Sequence, residues 1–76
     1  MKDLILLIAQ RLVTQPESVE VTETEGETAS VFEVRVAKED LGRIIGKQGR
    51  TAASIRTIIG AIAARANRKA VLDIIE

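Results

Sequence analysis

Across residues 19–22 and 32–36 the apolar side chains fall at every second position, while spacings of three and four recur on either side of residues 19–36. A period of two belongs to strands and one of 3.6 to helices, so this chain must mix the two. Val19 and Val21 alternate with Glu20 and Thr22, while Phe32, Val34 and Val36 alternate with Glu33 and Arg35. Gly26 stands among polar residues between these runs, which predicts an antiparallel hairpin turning near residues 25–29.

The flanking segments read as helices. Leu4, Ile5, Ile8 and Leu12, with Leu7 widening the stripe, predict an amphipathic helix over residues 3–13. Asp3 suits its N-cap or first turn, and Thr14-Gln15-Pro16 ends it, because a residue before proline disfavours the helical region. After the hairpin, Glu39 and Asp40 open a short helix in which Leu41, Ile44 and Ile45 share a face, and Gly46 closes it. A longer helix is expected from about Arg50 to Ala66, with Ala52, Ile55, Ile58/Ile59, Ile62, Ala63 and Ala66 as its buried stripe and Asn67 as terminator. Gly60 inside that helix costs about 1 kcal/mol relative to Ala, which suggests a close backbone crossing there. The final "KAVLDII" reads as a strand.

The order is therefore α-β-β-α-α-β. The last strand returns through a helical crossover, which predicts parallel pairing with a hairpin strand. The expectation is one α+β domain over residues 1–76: a three-stranded mixed sheet with three helices on one face, in two layers.

Several function classes fall away. The chain has no Cys and no His, so disulfides, thiolate ligands and the commonest general base are absent. "LILLIA" near the start is shorter than a signal-peptide core and far shorter than the roughly 18 apolar residues of a membrane span. A soluble cytoplasmic protein with no membrane partner is expected. Net charge is +0, but its distribution is uneven. Residues 1–37 carry three basic and seven acidic side chains, whereas residues 38–69 carry eight basic and two acidic ones. The positive segment is centred on "LGRIIGKQGRT", residues 41–51.

That segment is the candidate site. Glycines let the backbone approach a ligand and adopt positive φ, and a helix that starts beside them offers unpaired amides and the positive end of its dipole. Arg43, Lys47 and Arg50 add cationic side chains beside Gly46, Gln48 and Gly49. Such a loop suits an anion, specifically a sugar-phosphate backbone running past it. Ile44 and Ile45 are expected to wall an apolar groove for bases. A P-loop is excluded, because Leu41 stands where its first glycine belongs and Gln48 where its hydroxyl belongs. The dinucleotide fingerprint fails for want of a G-x-G pair. No inward-facing carboxylate pair is evident, Lys47 reads as a phosphate contact in preference to a catalytic amine, and Phe32 reads as core.

"IIGKQG" between two helices, with a helix-strand-strand lead and a strand after, resembles the KH domain family in its type II, prokaryotic arrangement. The likeness spans essentially the whole chain, in the manner of small single-domain bacterial members. It implies a non-enzymatic protein that grips short single-stranded RNA through the GXXG loop at residues 46–49 and needs no cofactor or metal. Ile45, the helix after Gly49 and one strand would line the base groove. It also implies RNA chaperoning or post-transcriptional regulation, and a heteromeric partner, a larger Jag-type KH protein. Two departures stand out: Ala52 where many KH domains carry a large aliphatic, and Glu23, Glu25 and Glu27, which would repel phosphate if the hairpin lay near the groove.

With a single aromatic residue, recognition rests on the loop, aliphatic packing and hydrogen bonds to base edges. The last strand and the small residues around Gly60 suggest a homodimer. Two other readings compete. A protein-interaction or dimerisation module with little RNA binding is favoured by the acidic hairpin. A helix-hairpin-helix DNA binder shares amides aimed at phosphate, but its glycines usually lie two apart, and here they lie three apart.

Overall fold

The computed structural model describes residues 1–76. Helix α1 runs Lys2–Leu12, and Val13 turns extended. The expected end before Pro16 is therefore correct, and a 3-10 turn at Pro16–Ser18 leads into the sheet. Asp3 lies in the first turn of α1 rather than at its cap, which is Met1.

Strands β1 (Glu20–Glu25) and β2 (Ala29–Arg35) pair antiparallel, with Val21 opposite Val34. The Gly26 N–H donates to Ala29 O at 2.7 Å and closes the hairpin. After α2 (Leu41–Ile45) and α3 (Arg50–Arg65), strand β3 (Lys69–Ile75) pairs parallel to β2, with Phe32 opposite Leu72. The strand order β1-β2-β3 makes β2 central and β3 an edge. Element order, parallel crossover and two-layer architecture are those the sequence predicts.

Alternation decides the faces. Val21, Ser30, Phe32, Val34 and Leu72 point to the helical layer and are buried, whereas Thr22, Glu33, Arg35 and Asp73 point outward and are exposed. The core is one cluster of 11 buried residues in which Phe32 and Ile44 are 1% exposed and Ile59 is 0% exposed. Each such side chain contributes about 1.5–3 kcal/mol by leaving water. Phe32 is core, as its alternation implies.

Helix α3 ends in a Schellman motif. Asn67 adopts φ +55, its N–H donates to Ala64 O at 3.0 Å, and the Arg68 N–H donates to Ala63 O at 2.9 Å. The terminator is the expected one. Its buried stripe is narrower than expected: Ala52, Ile55, Ile59 and Ala63 are buried, but Ile58 is 47% and Ile62 43% exposed, and Ala66 is exposed. A flat sheet covers only one line of a helix surface, and the flanking isoleucines fall outside it. The expected close crossing at Gly60 is also absent, since a Cβ built there meets nothing within 4 Å.

Arg68 follows the end of α3. Its guanidinium donates to Gly26 O, Glu27 O and Ser30 Oγ and fastens the hairpin turn to the start of β3. The acidic hairpin therefore sits at the C-terminal end of α3, whereas the glycine loop sits at its N-terminal end. Sixteen helical residues separate the two ends by roughly 24 Å. At the hairpin end the helical layer is incomplete, leaving a cavity of about 280 Å³ lined by Met1, Phe32, Ile62 and Ala66.

Candidate nucleic-acid interface

Between α2 and α3 the chain turns through Gly46 and a 3-10 turn at Lys47–Gly49. Gly46 has φ +77 and ψ 172, a combination essentially confined to glycine. Gly49 is left-handed at φ +75, ψ 11, and so is Gln48 at φ +58, ψ 26. A Cβ on Gly46 would stand 2.1 Å from Thr51 Oγ1 and 2.8 Å from Thr51 N, whereas one on Gly49 would meet nothing within 4 Å. The first glycine is thus required by backbone and by space, the second by backbone alone. Thr51, two residues past the loop, is the wedge that sequence reasoning missed.

The turn consumes some of its own amides. Gly46 N–H donates to Gly42 O at 2.8 Å, Gly49 N–H to Gly46 O at 3.1 Å, and Arg50 N–H to Lys47 O. Lys47 and Gln48 stand at the loop's tip, and both residues are exposed.

The cations surround that tip. Arg43, Lys47 and Arg50 are all exposed. Arg50 Nη2 donates to Gln48 Oε1 at 3.3 Å, and Arg43 Nε stands 3.5 Å from Asp40 Oδ1. Of the two isoleucines expected to wall a groove, Ile45 is 42% exposed. Ile44 turns into the core at 1%, because one turn of helix cannot aim adjacent residues the same way. Ala52, at 2% exposure, is likewise core, so its small size bears on packing beneath the loop and not on groove depth.

Asp40 has a task beyond that of a helix-start charge. It is 0% exposed. Its carboxylate accepts the Thr14 N–H at 3.0 Å, the Thr14 hydroxyl at 2.9 Å and the Gln15 N–H at 3.2 Å. Gln15 also bonds Glu39. The α1–β1 connection is in this way latched to the base of the glycine-loop helices. The Thr14 backbone N–H is the main cause of a lowered Asp40 pKa; it, the Thr14 hydroxyl, the Gln15 N–H and Arg43 together outweigh the desolvation that pushes upward. The Asp40–Arg43 spacing of three was visible in the sequence, but Thr14, distant along the chain, gave no signal.

Arg56 was also missed. It lies on α3 beyond the loop, and its Nε and Nη2 donate to Leu72 O on β3 at 3.4 and 3.2 Å. It spans the corridor between α3 and the sheet edge.

Comparison with known proteins agrees with this architecture. Residues 2–74 match the family described as "KhpA/KhpB, KH domain". The RNA-binding protein KhpA of Clostridium perfringens is 48% identical over 75 residues, which are 99% of this chain and 100% of that protein. The RNA-binding protein KhpA of Listeria monocytogenes is 46% identical over 76 residues, the whole of both chains. That of Aquifex aeolicus is 46% identical over 100% of this chain and 96% of its own. No solved structure gives a significant match. With the profile matched from the second residue to within two of the last, the chain belongs to the KhpA/KhpB family of KH domains.

Proposed function

We propose that this protein binds short single-stranded RNA, without catalysis, through the loop at Gly46, Lys47, Gln48 and Gly49. The observation that carries the reading is the positive-φ turn at Gly46, Gln48 and Gly49, whose exposed tip stands among Arg43, Lys47 and Arg50. Phosphate oxygens accept from backbone amides at such a turn and are drawn by the cations, while Ile45 offers an apolar contact to a base. The relatives' description as RNA-binding proteins supports the same reading. The acidic hairpin, at the far end of α3, does not oppose it.

The test is a titration with fluorescent single-stranded RNA, single-stranded DNA and duplex DNA at two salt concentrations. Single-stranded RNA is expected to bind, more weakly at high salt. Lys47→Asp with Gln48→Asp is expected to abolish binding with an unchanged circular dichroism spectrum, because Asp tolerates the left-handed backbone at position 48. Undiminished binding by the folded variant would remove the loop from the reading, and a preference for duplex DNA would favour a helix-hairpin-helix mode.

We further propose a cytoplasmic RNA chaperone or post-transcriptional regulator acting as a homodimer or with a larger Jag-type KH protein. Exposed Ile58 and Ile62, beside the open cavity, are the surface best suited to a second chain. Two copies would carry two loops and raise effective affinity. A strict monomer in sedimentation at high micromolar concentration would remove the homodimer.

A further inference from the structure

Asp40 is the one charged residue buried in the fold, and it stands at the base of the glycine-loop helices. A carboxylate taken out of water is costly unless donors surround it. Its Oδ1 accepts the Thr14 N–H and hydroxyl, and its Oδ2 accepts the Gln15 N–H. Those donors lie 26 and 25 residues earlier in the chain, so the α1–β1 connection sets the place of the carboxylate, and α2 alone does not. It is a fixed point against which an exposed side chain can be held.

Arg43 is that side chain. It follows Asp40 by three residues, one helical turn on, and its Nε stands 3.5 Å from Asp40 Oδ1. The Asp40 side chain is 1% exposed and that of Arg43 59%, so one guanidinium links the core to solvent. Nε is the inner nitrogen of the fork. With Nε turned to the carboxylate, the terminal nitrogens are the ones left for a second acceptor. A rigid, planar fork of donors suits two anions at once. The other loop cations lack such an anchor. Arg50 bonds Gln48 Oε1, which belongs to an exposed residue, and Lys47 carries a compact charge on a flexible stem.

Two effects of Asp40 on a polyanion oppose each other. Its charge repels phosphate, so on charge alone its removal would tighten RNA binding. Its hold on Nε orders the fork before RNA arrives, so on position its removal would weaken RNA binding. Position outweighs charge here. Three N–H and O–H donors and Arg43 itself already satisfy the carboxylate, whereas the ordering acts at the contact with phosphate. We propose that Asp40 is a positioning residue for RNA binding: it holds Arg43 Nε so that the terminal nitrogens meet a phosphate of the strand gripped by the loop. This rests on the RNA-binding reading above.

The test is fluorescence anisotropy with one fluorescent single-stranded RNA on the wild type, Asp40→Asn, Arg43→Gln and the double variant, below the melting temperature of each. Asp40→Asn is expected to weaken binding about threefold to tenfold, the effect of having to order one long side chain during binding. In the Arg43→Gln background the same substitution is expected to change affinity by less than about twofold. A merely structural role would lower affinity equally in both backgrounds. That result overturns the proposal, as does tighter binding by Asp40→Asn. If Asp40→Asn fails to fold, Arg43→Lys decides, because it leaves every buried residue in place. One ammonium cannot direct donors to carboxylate and phosphate as a fork does, so Arg43→Lys is expected to bind nearly as weakly as Arg43→Gln. Wild-type affinity in Arg43→Lys or in Arg43→Gln overturns the proposal while leaving the loop reading intact, which Lys47→Asp with Gln48→Asp tests separately. Binding of no RNA by the wild type overturns both.

Discussion

Adding one methyl group at residue 46 separates backbone strain from packing in the glycine loop. At Gly46 the φ +77, ψ 172 conformation costs an alanine of order 1–3 kcal/mol. The added Cβ also meets Thr51 Oγ1 at 2.1 Å, Thr51 Cβ at 2.6 Å and Thr51 N at 2.8 Å. The hydroxyl can rotate away, but the backbone nitrogen belongs to the first turn of α3 and cannot move without unseating it. The two terms together come to about 3 kcal/mol or more. At Gly49 only the left-handed penalty applies, about 1 kcal/mol, because a Cβ there meets nothing within 4 Å. A 76-residue chain has about 4–11 kcal/mol of total stability, so Gly46→Ala removes a large share of it. At about 4–8 °C per kcal/mol, melting is expected to fall by roughly 12–24 °C for Gly46→Ala and 4–8 °C for Gly49→Ala. Urea denaturation followed by circular dichroism measures both. Adding Thr51→Ala to Gly46→Ala should restore little, since Cβ and N remain. Gly46→Ala no less stable than Gly49→Ala would refute the reasoning.

Two further substitutions probe the frame around the loop. Gly60→Ala is expected to stabilise the chain by about 1 kcal/mol, since the site is helical and open; a loss of stability in urea melts would mean that Gly60 has a contact the structure lacks. Asp40 carries a lowered pKa, so its contribution is complete above the unfolded carboxylate value of about 3.9 and disappears as pH falls through the lower folded value. Asp40→Asn is expected to lower stability at pH 7 and to flatten its further decline in acid. Equal acid slopes for the two proteins in melts between pH 7 and pH 3 would contradict this.

The Schellman end of α3 and the faces of the hairpin were legible because they depend on residues close in sequence. So was the type of the loop: glycines three apart among cations describe a turn with positive φ whatever surrounds it. What α3 buries was not legible. Ile58 and Ile59 compete for the same stripe in sequence, and only the position of the sheet decides that Ile59 is 0% and Ile58 47% exposed. The same holds for Ile44 and Ile45, where packing of α2 sends one inward and one out.

Local chemistry thus fixed the order of elements, the parallel return and the place of the cationic loop, because backbone preference and hydrophobic period act over a few residues. The tertiary structure decided that Thr51 closes on Gly46, that Asp40 clasps Thr14, and that Arg56 meets the Leu72 carbonyl at the sheet edge. Those contacts join residues from different elements, and no short-range pattern encodes where two separately formed elements will touch.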